Sequence, residues 1–383
     1  MKLFSSALSA AAIGIALLSG AQAQQNQPAC SSVYTRKEIL SLTSYEWSVI
    51  KAVLSAMQRD GWFRWFSYVH NTQFSQIHGN SQFFPFHRRF VYEWESVGRR
   101  YHQDYIQPYW DEMRDYRTPA TSQVLTPNWV GGNGVSPNWC VQNGNQAGWT
   151  MTYPSNHCFQ RQYGNNGNLG SWYSPEYINS MVQRVSSMAD FRPGIEYSLH
   201  GVVHINIGGD MYRGYSPNDW IFMLHHANLD RLWWQWQMNG NLWTMDGPNN
   251  SNAGGNISLD SAMPQFGESV RSVMQLGYGN MCYQYASNIL SRRDMDSSTT
   301  QKLVSILPKD VLAKWFPKTA KLPSAQSIIA PQKPVDSGSF IPYPSKITKD
   351  WIDMHYANPQ EVAVVEKDAR SFVDAMRKAG YRS

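Results

Sequence analysis

The chain has 383 residues, with 33 Lys and Arg against 28 Asp and Glu, and a formal net charge of +5 at pH 7. This length allows one large domain with an extension. The basic residues are interleaved with acidic ones, which argues against a nucleic-acid partner.

The N-terminus is typical of a cleaved secretion signal. Met1-Lys2 precedes an apolar stretch from Leu3 to Leu18, and Ala21-Gln22-Ala23 matches the small-x-small cleavage pattern. The apolar stretch is too short to be a good membrane span. We therefore predict a signal peptide over residues 1–23, a secreted chain that starts near Gln24, and no membrane partner.

Helical patterns dominate the residues that follow. Thr43 with Glu46 predicts a capped helix, and a second, short helix is expected to end near His70. Pro85 fits the first turn of a long helix that carries His87.

Residues 115–175 are rich in Gly, Asn, Pro and Ser and show little periodicity. Such a long irregular stretch tends to be functional or cross-linked. Four cysteines in a secreted chain indicate two disulfides, although the sequence alone allows three pairings. We expect Cys140 to close a loop with Cys158, which leaves Cys30 for Cys282.

Helical periodicity returns at Pro175. Gly208-Gly209 is expected to stop a helix, and Ser216 to Asp219 is a start signal for another helix from Trp220 to about Met238. The predicted fold is mainly α, with a four-helix-bundle core that holds a metal site, long irregular loops and few short strands.

The predicted organisation is a main domain over 24–290 and a C-terminal extension over 291–383. Pro317 to Lys349 reads as an extended strap. A last helix is expected from about Pro359 to Lys378.

Seven of the ten histidines fall in two short segments. Neutral imidazole binds copper, zinc, iron and nickel, and three ligands per metal leave room for a small molecule. The sequence therefore predicts two neighbouring metal sites, and a paired site made only of histidine points to copper and dioxygen. The seven are His70, His78, His87, His200, His204, His225 and His226.

The second segment contains two informative spacings. His200 and His204 lie four residues apart, hence on one helix face. Zinc hydrolases share this spacing but carry Glu after the first histidine, where this chain has Gly201. His225 and His226 point about 100° apart on a helix, so we expect one ligand and one packed or hydrogen-bonded neighbour.

The two histidine motifs resemble those of the type-3 copper proteins, and most closely the secreted, fungal-looking tyrosinases and catechol oxidases. His78-x8-His87 continues into Arg88-Arg89-Phe90, and Phe222-x2-His225-His226 continues into Ala227-Asn228-x-Asp230-Arg231. Pro108-Tyr109-Trp110-Asp111 and Tyr283-x-Tyr285 match further landmarks of the family, and the resemblance covers roughly residues 30 to 290.

The resemblance implies a pair of copper ions that uses dioxygen to oxidise phenolic and catecholic small molecules to o-quinones. It assigns His70, His78 and His87 to the first copper, and His200, His204 and His226 to the second copper. Asp230, one turn beyond His226, is expected to orient that histidine.

Departures from the family pattern bear on the expected activity. Relatives are thought to hold a water, which takes the phenol proton, with a Glu that matches Glu196 and often with an Asn where this chain has Gly201. We therefore expect catechol oxidation to exceed monophenol hydroxylation.

Two further positions differ from the family or are left open by it. Gln76 replaces the cysteine that forms a thioether in many fungal members. A residue that gates the first copper should lie in 211–215, with Arg213 as the candidate.

Two alternatives to a phenol oxidase remain. One is a hemocyanin-like oxygen carrier on the same copper pair, which catechol turnover would separate from an enzyme. The other is a secreted zinc hydrolase, disfavoured by Gly201. The natural phenol, the oligomeric state and any processing of the extension are left open.

Overall fold

The computed structural model describes residues 27–248, 255–286, 297–326 and 338–383; the predicted signal peptide lies outside them. The fold is mainly helical, as predicted. The strands are β1 (Tyr34–Arg36), β2 (Thr150–Met151), β3 (His157–Cys158) and β4 (Tyr283–Tyr285). The α-helices are α1 (Ser44–Arg59), α2 (Trp62–Ile77), α3 (Phe83–Tyr101), α4 (Gly164–Gly167), α5 (Pro175–Arg184), α6 (Met188–Ile195), α7 (Gly201–Ile207), α8 (Ile221–Trp236), α9 (Ser297–Ile306), α10 (Lys309–Trp315), α11 (Pro323–Gln326), α12 (Lys349–Met354) and α13 (Pro359–Lys378).

Four helices carry the clustered histidines. α3 packs against α8 and α2, and a π-helical segment, Glu196–His200, joins α6 to α7. Phenylalanine rings fill the space between α2, α3 and α8; Phe66, for example, packs edge-on against Phe90 at 5.0 Å between centroids. Because this interior is apolar, the polar groups that point into it need a partner or a metal.

The α2 helix is longer than predicted. It runs past His70 to Ile77 because Phe74 and Ile77 continue its buried face. This extension places His78 at the C-terminal cap of the helix that carries His70, two turns away. The capping box of Thr43 and Glu46 is confirmed at the start of α1.

The last histidine helix starts within one residue of the predicted Trp220, but Ser216 does not cap it. Ser216–Asn218 forms a separate 3-10 turn, and α8 begins at Ile221. Asp219 forms an ion pair with Arg161 at 2.6 Å, and its side chain accepts a hydrogen bond from the Ile221 N–H at 2.9 Å. The side chain of Asp219 therefore both joins α8 to the irregular region and satisfies an N–H at the start of the helix.

Both expected disulfides are present. Cys30–Cys282 lies beside the parallel pair β1–β4, and Cys140–Cys158 closes the irregular region beside the antiparallel pair β2–β3. The described residues contain no free cysteine.

The C-terminal extension is part of the main core. Phe372, Val373 and Met376 of α13 are buried in the same hydrophobic cluster as the histidine helices. The last residues are also held, since Tyr381 donates to Glu176 at 3.2 Å and Arg117 donates to the Ser383 carbonyl at 2.9 Å. The predicted bounds of α13 are confirmed, whereas the short helix α11 falls within the predicted strap and α12 begins at its last residue, Lys349. No helix among the described residues is both long and apolar enough to cross a membrane.

Candidate dicopper site

The first histidine group comes from α2, its C-terminal cap and α3. His70, His78 and His87 are 1–3% exposed, and their ligand atoms lie within 4.8 Å of one another. The Nε2 atoms of His70 and His87 are 3.3 Å apart. The structure therefore brings together the three residues that the family motif assigns to the first copper.

The second group contains four histidines. His200, His204, His225 and His226 are at most 2% exposed, and their ligand atoms lie within 4.8 Å of one another. The ring of His225 therefore also lies in the group, and the expectation that only one of the adjacent pair binds a metal stays a prediction.

The two groups adjoin. The rings of His78 and His200 are stacked 5.7 Å apart, and those of His87 and His226 are 4.1 Å apart. Phe222 also packs against rings of both groups, at 4.8 Å from His70 and 4.2 Å from His226. A metal in each group would therefore have its neighbour close by in a dry, aromatic setting.

Burial keeps these imidazoles neutral. Desolvation lowers the pKa of His70, His204 and His225 to about 3, and it also lowers the pKa of the other four clustered histidines. The Nδ1 atoms of His78, His87 and His200 lie within hydrogen-bond distance of the carbonyl four residues earlier, so Nδ1 is the donor and Nε2 keeps its lone pair.

The unpartnered nitrogens test whether copper fits. The Nε2 atoms of His200, His204, His225 and His226 are buried without a hydrogen-bond partner among the described residues. Such orphaned acceptors are costly in an apolar interior unless they bind something. Neutral imidazole nitrogens suit copper, so the residues present fit a pair of copper ions.

Glu112 was missed by the sequence analysis. Its Oε1 lies 2.7 Å from His225 Nδ1, and its Oε2 accepts a hydrogen bond from Asn228. The only sequence signal was its place directly after the Pro108-Tyr109-Trp110-Asp111 landmark. Glu112 holds His225 as a hydrogen-bonded neighbour, whereas neither ring nitrogen of His226 has a hydrogen-bond partner in the described part of the chain.

The predicted contact between Asp230 and His226 is wrong. Asp230 binds Arg88 of α3 through Oδ1, and its Oδ2 accepts the hydroxyls of Tyr283 and Tyr285 at 2.5 Å. The carboxylate lies on the side of α8 that faces Arg88 of α3 and the tyrosines of β4. Asp230 therefore ties the ligand helices to the N-terminal strand pair.

Glu196 lies beside both groups. Its Oε1 accepts the N–H of Gly79, the residue after His78, at 2.8 Å, and its Oε2 accepts from Arg192 at 3.0 Å. Burial raises the pKa of Glu196 to about 7, although Arg192 opposes this shift. Both carboxylate oxygens already have a protein partner. The water-holding role assigned to Glu196 stays a prediction.

Gly201 faces the C-terminal extension. A Cβ on Gly201 would lie 2.7 Å from Ile347 Cδ1 and 3.1 Å from the ring of Trp351. His355, 2% exposed, stacks on Trp351 at 3.6 Å and lies 5.2 Å from the His78 ring. Residues 347–355 therefore cover the histidine groups, which the sequence analysis did not foresee.

Arg213 is exposed on the loop between α7 and α8, and its guanidinium lies 5.4 Å from the ring centre of Tyr212. Its gating role stays a prediction.

Comparison with known proteins agrees with this geometry. Residues 59–239 match the family described as the common central domain of tyrosinase. The tyrosinase-like protein phomQ2 of Diaporthe leptostromiformis is 31% identical over 308 residues, which cover 71% of this chain and 78% of that protein. The tyrosinase of Streptomyces antibioticus is 31% identical over 226 residues, which cover 53% of this chain and 82% of that protein.

Solved structures show the same fold. A polyphenol oxidase variant from Thermothelomyces thermophila matches with a TM-score of 0.54 at 21% identity, over 72% of this chain and 95% of that chain. A tyrosinase from Burkholderia thailandensis matches with a TM-score of 0.53 at 14% identity, over 73% and 78%. The motifs, the histidine groups and the similarity to tyrosinase-like relatives lead to one conclusion: this chain belongs to the tyrosinase family.

Proposed function

We propose that this protein is a secreted copper oxidase that uses dioxygen to convert catechols to o-quinones and hydroxylates monophenols more weakly. The observation that carries the proposal is the pair of adjoining groups of buried, neutral imidazoles. Each catechol loses two electrons and two protons, and dioxygen accepts four electrons, so two catechols are oxidised for each dioxygen reduced to water.

We assign the first copper to His70, His78 and His87, and the second copper to His200, His204 and His226. When bound, the copper pair would supply the two-electron redox chemistry with dioxygen. The protein supplies the rest. The Nδ1 hydrogen bonds fix the ring orientations, and the apolar surroundings keep water away from the reacting atoms.

The weak monophenol activity follows from what surrounds Glu196 and Gly201. Hydroxylation of a monophenol requires removal of its phenolic proton, and a water held at these two positions would accept it. Gly201 offers no side-chain acceptor, and Ile347 and Trp351 fill the adjacent space. Glu196 is engaged by Gly79 and Arg192. Catechol oxidation has no comparable need for a positioned water.

Oxygen uptake with a catechol and with the monophenol that lacks one hydroxyl tests this ranking in the copper-loaded protein. We expect fast uptake with the catechol, and slow uptake after a lag with the monophenol. Equal rates without a lag would refute the ranking, and no turnover of either substrate would favour an oxygen carrier.

Secretion is part of the proposal. Two disulfides are typical of proteins from oxidising compartments, and residues 1–23 have the pattern of a cleaved signal. The intact mass of protein recovered from culture medium should correspond to a chain that begins near Gln24. Retention of the whole chain inside the cell would contradict this assignment.

A further inference from the structure

Two of the clustered histidines are anchored by a segment outside their own helices. His204 Nδ1 lies 2.6 Å from the carbonyl oxygen of Met211, and His70 Nδ1 lies 2.7 Å from that of Gly214. By contrast, His78, His87 and His200 use carbonyls four residues earlier. Residues 208–215, here called the anchor loop, therefore orient one predicted ligand of each copper.

The anchor loop is fastened by Asp210, which is 2% exposed. Its Oδ1 lies 2.8 Å from His157 Nε2, and its Oδ2 accepts the N–H of Gln160 at 3.0 Å. The Asp210 N–H donates to the Gln160 carbonyl at 3.0 Å. One residue thus makes three hydrogen bonds to the segment 157–160, directly beside Met211.

The approach of the two segments is close enough to require glycine. Gly208 and Gly209 have φ of +63° and +57°. A Cβ at these positions would lie 1.9 Å from the Gln162 carbonyl oxygen and 2.4 Å from that of Gln160. At the other end of the loop, the Tyr215 ring packs 6.2 Å from the His157 ring, beside Gly214.

The segment that receives the loop is itself rigid. Cys158 is bonded to Cys140, and β3 pairs with β2. Arg161 forms a buried ion pair with Asp219, just before α8. The anchor loop is therefore held against a cross-linked part of the irregular region, and its carbonyls have little freedom to move.

We propose that Asp210 and His157 are positioning residues of the copper site. They fix the positions of the Met211 and Gly214 carbonyls, and these carbonyls orient His204 and His70. Among the described residues, no hydrogen bond or ring contact joins either side chain to a clustered histidine. The inference rests on the proposed copper function. Since the anchor loop orients one predicted ligand in each group, loosening the loop weakens the binding of both copper ions. Loss of a single ligand weakens the binding of one copper ion only.

The test compares Asp210→Asn and His157→Gln with the wild type. Copper per chain is measured before and during exposure to a chelator, and the near-ultraviolet band produced by hydrogen peroxide is recorded. Removal of a residue that orients a metal-bound histidine lowers metal affinity about 10- to 100-fold. We expect both coppers to leave faster in one phase, with a weaker peroxide band. Asp260→Asn, which breaks an exposed ion pair with Arg271, is the matched control.

A merely structural role is separated by thermal unfolding of the copper-free proteins. We expect the midpoints of the variants to stay close to that of the wild type, whereas their copper release rates change. In the double variant, the effects of Asp210→Asn and His157→Gln on copper release should not add. If Asp210→Asn does not fold, His157→Gln still decides the matter, because the His157 side chain is 19% exposed.

Unchanged copper release in both variants, or loss of one copper only, would overturn the proposal. So would a wild type that binds no copper, which would also refute the proposed function. A wild type that binds two coppers without oxidising catechol would refute the enzyme assignment alone, and the release rates would still test Asp210 and His157.

Discussion

Gly201 and Trp351 are in direct contact, so that a Cβ on Gly201 would lie 3.1 Å from two atoms of the Trp351 ring. Gly201 directly follows a predicted ligand of the second copper, whereas Trp351 belongs to the C-terminal extension. The missing side chain at 201 lets residues 347–355 pack over the histidines. The absence of a side chain at position 201 and the covering segment are therefore two aspects of the same packing.

Gly201→Ala should loosen this cover. The new methyl would lie 2.7 Å from Ile347 Cδ1, closer than side chains tolerate, and overpacking of this kind costs about 1–3 kcal/mol. We expect faster amide exchange in residues 347–355 and a lower KM for catechol. Ile347→Ala in the same chain makes room for the methyl and should restore slow exchange. If the single variant exchanges as slowly as the wild type, Gly201 does not control the packing of the segment.

His355→Ala should open the histidine groups without displacing the segment. His355 stacks on Trp351 and lies near His78 and His200, so its removal leaves a gap on that side. An aromatic pair of this type contributes about 1 kcal/mol beyond the burial of the ring, and the gap adds to this, so the loss of stability should exceed about 1 kcal/mol. The peroxide band should form faster than in the wild type. Tyr356→Ala, at a 66% exposed side chain, is the control; equal rates in the two variants would rule out a covering role for His355.

Much of the site was predictable because its signals are local. The i, i+4 spacing of His200 and His204, the capping box of Thr43 and Glu46, and the amphipathic pattern of α13 each depend on neighbours in the chain. The family motif added the grouping of histidines from distant segments.

The contacts that the sequence did not reveal join residues far apart in the chain. Glu112 meets His225, and His355 meets His78, but no spacing rule links either pair. The position of Asp230 one turn after His226 indicated a contact, yet the direction of the side chain is set by Arg88 and the tyrosines of β4. Local pattern predicts which residues share an element, whereas tertiary packing decides what each one touches.

His226 and His225 should differ sharply in their effect on copper. We expect His226→Ala to lower copper content from about two to about one per chain, because a ligand is lost. His225→Ala should keep both coppers and lose about 1–3 kcal/mol of stability, because Glu112 is left buried without its imidazole partner. Copper analysis with thermal unfolding measures both effects. Loss of copper in His225→Ala with retention in His226→Ala would reverse the ligand assignment.

The ion pair of His157 and Asp210 predicts a specific pH dependence. The hydrogen bond from His157 to Asp210 raises the pKa of His157 above its usual 6.5, against an opposing effect of burial. A raised pKa in the folded state means that the contribution to stability is complete below about pH 6.5 and is lost as the pH rises through the folded pKa. The clustered histidines, whose pKa values are lowered, have the opposite effect on the pH dependence of stability, because the unfolded chain gains stability from protonation as the pH falls.

The difference in unfolding free energy between the wild type and His157→Gln isolates the ion pair, because both proteins contain the same clustered histidines. The wild type should be the more stable protein near pH 6, and the difference should shrink above pH 7 when unfolding of the copper-free proteins is followed by denaturant titration. A difference that grows with pH would contradict the ion pair.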